Sequence, residues 1–236
     1  MRFVDIHTHI LFNIDDGSES LAMSLDMLDA AYRSGTRAVF FTPHCAESQF
    51  DFSKANSAIL ELEPHIKSKY ENLLIYGGCE VMYNTLTAEG VLNQKIPTLA
   101  NSQYILVEFD PLIFFSDILD AVRNLTINGF FPIIAHAERY GSLNPNTVSE
   151  LVDTGAYIQI NAGSVLGKNG TFFKKLCLNL LKAGLVHFIA SDCHDLQERP
   201  PMLDECAKFI EKKYGTDGAE RLFYKNALKI INNDII

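Results

Sequence analysis

Five of the seven histidines lie in four short motifs: His7-Thr8-His9, Thr42-Pro43-His44, His136-Ala137-Glu138-Arg139 and Asp192-Cys193-His194. Carboxylates stand in or between these motifs, at Asp15, Asp16, Glu80, Glu108 and Asp192. Imidazole nitrogens and carboxylate oxygens together suit Mn²⁺, Fe²⁺ or Zn²⁺, whereas a structural zinc site is usually richer in thiolates. A His-x-His or Asp-x-His pair on a strand presents both donors on one face, because side-chain direction repeats every two residues. About nine donors are too many for one ion, so two or three ions sharing a bridging carboxylate are expected. Such a cluster lowers the pKa of a bridging water and clamps the oxygens of a substrate through an in-line displacement.

The last motif admits a second chemistry. Cys193 and Arg199 have the Cys-x5-Arg spacing of a thiolate nucleophile and a phosphate-binding guanidinium. That chemistry needs the intervening loop to wrap an anion with backbone N–H groups, usually helped by glycine. The loop here is HDLQE, with no glycine and two acidic residues, and Pro200 and Pro201 follow it. The thiolate reading is therefore set aside, and Cys193 becomes the spacer between Asp192 and His194.

Each motif must be held at the end of an element. Near-continuous apolar runs at 2–6, 37–42, 73–78, 103–109, 130–135, 156–160 and 186–190 read as parallel strands covered on both faces. Amphipathic segments at 19–33, 53–70, 116–128, 145–154, 171–183 and 201–213 alternate with them. In the first, Leu21, Leu25, Leu28 and Tyr32 form a stripe, with Ser18 as expected N-cap and Gly35 as stop. Seven βα units without linker or repeat point to a single α/β domain over 1–236, barrel-like and short of eight strands. A doubly wound open sheet is the alternative. In a parallel barrel the chemistry sits where strands end, which is where the histidines and carboxylates fall. His187, inside an apolar strand, and His65, in mid-helix, are expected to be structural, as are Cys45 and Cys79.

Composition narrows the function classes. A formal charge of −9 without a basic run argues against nucleic-acid binding. The start MRFVDIHTHI is not a signal peptide, and no apolar run approaches the ~18 residues of a membrane span. Five cysteines without paired spacing read as reduced thiols of a cytoplasmic protein. No GxGxxG or GxxxxGK[ST] supports a nucleotide site.

The motifs DIHTHI, DDG, TPH, GGCEV, VEF, AHAERY and SDCHD resemble, in order and over nearly the whole chain, the PHP (polymerase and histidinol phosphatase) superfamily. Within it the sequence is most similar to CpsB/YwqE-type bacterial tyrosine phosphatases of capsular and exopolysaccharide biosynthesis. The resemblance implies a distorted TIM-like (β/α)7 barrel with a trinuclear, commonly Mn²⁺-activated centre. By that resemblance one ion falls to His7, His9, Glu80 and Asp192, and a second to Glu80, Glu108 and His136. The third falls to Asp16, His44 and His194, and Arg139 and Arg199 bind the phosphoryl group. Forked guanidinium donors suit phosphate oxygens and developing negative charge.

The implied reaction is hydrolysis of protein phosphotyrosine by a metal-activated hydroxide, with a polysaccharide-export tyrosine autokinase as partner. Alternatives keep the metals but change the outcome: a small phosphate ester such as histidinol phosphate, a phosphodiester, or a non-catalytic metal-binding regulator. An amidohydrolase-type barrel also begins His-x-His, but separate Glu80 and Glu108 favour the PHP pattern. Two departures stand out: Ala137 where the family usually has Pro, and SDCHD where it usually reads SDAHN, so that Asp195 brings added negative charge. Phe50 and Phe52, in the polar stretch after His44, are expected either to form a flap over a phosphotyrosine ring or simply to pack.

Overall fold

The computed structural model of the chain describes residues 1–45 and 50–236. Its strands are β1 (Phe3–Thr8), β2 (Thr36–Phe41), β3 (His44–Cys45), β4 (Leu74–Gly77), β5 (Glu80–Met82), β6 (Tyr104–Glu108), β7 (Phe131–Ile134), β8 (Tyr157–Asn161) and β9 (Phe188–Ala190). All of their pairings are parallel, in the orders β1-β2-β4 and β3-β5-β6-β7-β8-β9. β2 is the strand expected at 37–42, and β3 is a short further strand beyond it, parted from β2 at Thr42-Pro43. β4 and β5 are parted in the same way at Gly78-Cys79. Pro43 has no N–H to give the ladder, so pairing stops there and resumes one sheet over.

The seven resulting runs curl until the first meets the last. Thr8 and Cys193 form a parallel bridge, His9 N–H donates to Cys193 O at 2.9 Å, and Asp192 N–H donates to His7 O at 3.0 Å. An open doubly wound sheet has no such closure, and the barrel is distorted because β4 does not pair with β6.

Pairs such as Val4/Ile6, Ala38/Phe40, Tyr104/Leu106, Ile133/Ala135 and Phe188/Ala190 lie two residues apart on their strands and fill one buried cluster. Complete burial of such side chains stabilises by roughly 1.5–3 kcal/mol each. The C-terminal helix Asn226–Asn232, not anticipated from the sequence, adds Ala227 and Ile230 to that cluster. It sits at the starts of the strands, where Asn226 donates to His187 O at 2.8 Å and Tyr104 OH donates to Asp234 O at 2.7 Å. The other end of the barrel is left for chemistry.

The helix Leu21–Ser34 is capped by Ser20, whose hydroxyl accepts from Met23 N–H, and not by Ser18. Ser18 is buried and its hydroxyl donates instead to Ser20 O. Gly35 ends the helix at φ 108°, a left-handed conformation that costs glycine little. Only Leu28 of the expected stripe is fully buried; Ser24, Met27 and Ala31 complete the inward face. The short helices Thr87–Leu92 and Ala162–Leu166 were also unforeseen, being too brief to show a period. Among the described residues no helix is long and apolar enough to cross a membrane.

Candidate metal centre

The strand ends bring the expected donors into one cluster. His7 comes from β1 and His9 directly follows it, His44 comes from β3, Glu80 from β5 and Glu108 from β6. His136 follows β7, and Asp192 and His194 follow β9. His7, His9, Glu80, His136, Asp192 and His194 are buried, whereas Asp16 is 60% exposed. The breaks in two strands matter here: they place His44 directly opposite Glu80 in the β3–β5 register.

Among the described residues, three groups have one donor atom per residue within 4.8 Å of one another: His7, His9, Glu80 and Asp192; His9, Asp16, His44 and His194; and His44, Glu80 and Glu108. The first contains the four residues assigned to one ion by resemblance. The second adds His9 to Asp16, His44 and His194. The third puts His44 beside Glu80 and Glu108, while His136 Nε2 approaches Glu80 Oε1 at 2.7 Å and Glu108 Oε2 at 3.8 Å.

Glu80 Oε2 shows what the cluster suits. It lies 3.1 Å from His7 Nε2, 3.3 Å from His9 Nε2 and 3.2 Å from His44 Nδ1, yet it is buried without a hydrogen-bond partner. His194 Nε2 is likewise buried without a hydrogen-bond partner, 3.4 Å from Asp16 Oδ1. Unsatisfied buried polar atoms are costly. Several converging on one point is the arrangement expected around cations, so the donor set fits divalent metal.

The electrostatics agree. Burial opposes protonation of His7, but the carboxylates of Glu80 and Asp192 outweigh it and lift the imidazole to about 10. Burial also works against His44, which Glu108 and Glu80 nevertheless raise to about 9. Burial works against ionisation of Glu80, but His7 and His136 hold its carboxyl well below the usual range. His194 moves the other way, to about 4, through burial and the neighbouring His9. The carboxylates thus create a buried demand for positive charge that cations can meet.

Asp15 was passed over in the sequence in favour of Asp16, and the structure gives the two adjacent acids different work. Asp15 Oδ2 accepts from His9 Nδ1 at 2.7 Å and from His44 N–H at 2.9 Å, and its Oδ1 accepts from Gly17 N–H at 3.0 Å. A carboxylate behind an imidazole fixes its tautomer and leaves Nε2 free to ligate. Gly17 keeps this turn against β1, since a Cβ there would come within 2.2 Å of His9 O. Tyr140 acts similarly elsewhere: its hydroxyl accepts from Phe109 N–H at 3.1 Å and lies 3.4 Å from His136 Nδ1. His136 and Asp192 both adopt positive φ, 31° and 53°. Such conformations cost about 1–3 kcal/mol and persist where the surroundings over-determine them.

The two arginines flank the cluster. Arg139 Nη2 donates to Asp192 Oδ2 at 2.6 Å, and Arg199 Nη2 to Asp16 Oδ2 at 3.4 Å. Both line one pocket with Asn161, Lys168 and Ser191. Asp195 does not add a free charge to it: its Oδ1 accepts from the N–H groups of Gln197, Glu198 and Arg199 at 2.6, 2.6 and 3.2 Å. The acid therefore holds the loop that carries Arg199.

Cys193 is fully buried, and burial pushes its thiol well above the ordinary range, so it is no nucleophile. Cys45 and Cys79 are also buried in the core. Nδ1 of His187 accepts from Ile158 N–H at 3.1 Å, and His65 is exposed on a helix. Phe50 and Phe52 meet edge to face at 5.2 Å and line a cavity that contains no donor of the cluster. The rest of the proposed flap, residues 46–49, lies outside the described residues.

Fold and site together define a parallel α/β barrel whose strand ends carry a cluster of divalent-cation donors. Residues 3–232 match the family described as "Capsular polysaccharide synthesis, CpsB/CapC", and the chain belongs to that family. It is 37% identical over 245 residues to the tyrosine-protein phosphatase CpsB of Streptococcus agalactiae, covering 99% of this chain and 100% of that one. It superposes with a TM-score of 0.91 at 30% identity on a crystal structure from work on YwqE of Bacillus subtilis and CpsB of Streptococcus pneumoniae, described as metal-dependent tyrosine phosphatases. That match covers 99% of this chain and 96% of the other. A lactonase from Listeria monocytogenes, 12% identical with a TM-score of 0.64, shares the barrel fold alone and covers 98% and 94% of the two chains.

Proposed function

We propose that this chain is a metal-dependent protein-tyrosine phosphatase, acting over residues 1–236 as one domain. The observation that carries the reading is Glu80 Oε2, buried and unpartnered among three imidazole nitrogens, in a barrel that overlays on metal-dependent tyrosine phosphatases.

His7, His9, Glu80 and Asp192 would hold one cation; Glu80, Glu108 and His136 a second; and Asp16, His44 and His194 a third. Mn²⁺ is the favoured ion and Fe²⁺ or Zn²⁺ the alternatives, because the donors are nitrogen and oxygen and the thiols face the core. When bound, such ions lower the pKa of water and neutralise phosphoryl charge. The chain supplies the remainder. Arg139 and Arg199 present guanidinium donors to the phosphoryl oxygens as negative charge develops. No phosphoenzyme forms on Cys193, whose thiol is buried. Phenolate is a comparatively good leaving group, so the site does not depend on a strong general acid.

The substrate class is a phosphotyrosine-bearing protein. The particular partner is proposed to be a tyrosine autokinase of polysaccharide export, met in the cytoplasm. The test is kcat/KM on a phosphotyrosine peptide against histidinol phosphate with Mn²⁺ present. A clear preference for the peptide is expected; a preference for the small ester would overturn the substrate assignment.

A further inference from the structure

β8 contributes no histidine or carboxylate to the cluster, yet it places two amides beside it. Gln159 and Asn161 are buried and share one face of the strand, two residues apart. Their hydrogen bonds can be given directions without reference to any titration. The backbone N–H of His136 can only donate, and it reaches Gln159 at 2.8 Å, so the atom it meets is the amide oxygen Oε1. That same oxygen lies 3.1 Å from His7 Nδ1 and can only accept, so Nδ1 of His7 carries a proton. In the neutral ring, Nε2 then turns its lone pair toward Glu80, Asp192 and His9.

The chain of directions continues. With Oε1 assigned, Gln159 Nε2 is the donor to Asn161 Oδ1 at 2.8 Å. The remaining amide atom of Asn161 is therefore Nδ2, which donates to Asp192 Oδ2 at 2.7 Å. Arg139 donates to the same oxygen at 2.6 Å. Oδ2 is thereby occupied, and Oδ1 is the oxygen that faces His7 Nε2 at 3.4 Å and His9 Nε2 at 3.5 Å.

We propose that Gln159 and Asn161 are positioning residues that select the metal-facing atoms of His7 and Asp192, Nε2 of one and Oδ1 of the other. This rests on the metal-centre reading above. One backbone N–H just after β7 thus sets donor directions on β1 and after β9, through an amide relay on β8. Partners behind ligands of this kind typically change metal affinity by about 10–100-fold when lost.

The test uses Zn²⁺-loaded, ¹⁵N-histidine-labelled protein, with long-range ¹H–¹⁵N correlation to assign the His7 tautomer and chelator competition to measure affinity. Wild type is expected to show a slowly exchanging Nδ1–H on His7. Gln159→Met keeps length and burial but removes both the acceptor and the donor; that signal should vanish and affinity should fall about 10–100-fold. Gln159→Glu still accepts from His7 and His136, and should retain the signal and bind Zn²⁺ more tightly than the Met variant. A residue needed only for packing gives the reverse order, because a buried carboxylate is tolerated less well than a thioether. That order, or His7 ligating through Nδ1 in wild type, overturns the proposal, and the wild-type spectrum decides even if a variant does not fold. Failure of wild type to bind Zn²⁺, Mn²⁺ or Fe²⁺ at all would instead sink the metal reading, with the Nδ1–H still readable in the metal-free protein.

Discussion

The barrel holds a histidine at each end, His7 fully buried and His187 partly buried, and treats the two oppositely. His7, at the end of β1, is lifted to about 10 against the effect of burial, because Glu80 and Asp192 face it. His187, just before β9, is driven down to about 4 by burial, with Arg221 adding to the effect. Its ring caps a backbone N–H and packs edge to face on Tyr157. Burial is common to both; the difference is carboxylates. At the strand ends they converge and create a demand for cations. At the strand starts the C-terminal helix closes the barrel, and a neutral ring serves packing. One end therefore carries function and the other stability.

Separating these two contributions gives graded predictions. Glu80→Gln removes the charge that four imidazoles share. It should release bound metal and lower kcat/KM on a phosphotyrosine peptide by on the order of 10³-fold, read by metal analysis and steady-state kinetics. Asp15→Ala leaves every expected ligand in place but frees the His9 ring, and should weaken metal affinity about 10–100-fold in a chelator titration. Asp195→Ala releases the loop carrying Arg199; KM should rise about five- to tenfold, on the order of 1 kcal/mol, with kcat less affected.

At the opposite end, His187→Gln keeps an acceptor for Ile158 N–H and should leave kcat unchanged while altering stability in acid. The folded pKa of His187 lies below its ordinary 6.5, so the unfolded chain binds the extra proton first. Its stabilisation is complete above pH 6.5 and is lost as pH falls toward about 4. The total is up to about 3 kcal/mol. Denaturant midpoints across that range should fall more steeply in wild type than in the variant. The smallest effect belongs to Cys193→Ser, which should stay within about twofold of wild type because the thiol faces the core.

Much of this was legible in the sequence, for physical reasons that differ by residue. Period-two spacing and position after apolar runs brought out His7, His9, Asp192 and His194, because strand geometry leaves few other ways to use such pairs. Seven strand runs were visible as near-continuous apolar stretches, because parallel strands are covered on both faces. The breaks at Thr42-Pro43 and Gly78-Cys79 were not inferred, although Pro43 and Gly78 are the residues that permit them. Asp15 and Asp16 carry the same carboxylate; the resemblance singled out Asp16 as a ligand, but the place of Asp15 behind His9 is visible only in the fold. Gln159 was missed altogether: an amide in an apolar strand carries no spacing signal, and its meaning depends on which backbone N–H it meets. Asp195 was read as a free charge because three backbone donors cannot be seen in a side-chain sequence.

The central claim is that activity belongs to the cation cluster. It is tested most directly by stripping the protein with a chelator, quantifying residual metal, and following phosphotyrosine-peptide hydrolysis as Mn²⁺ is restored. The account predicts that activity disappears with the metal and returns as the cluster refills, in wild type and in Cys193→Ser alike. Full activity in metal-free protein, abolished by Cys193→Ser, would contradict it.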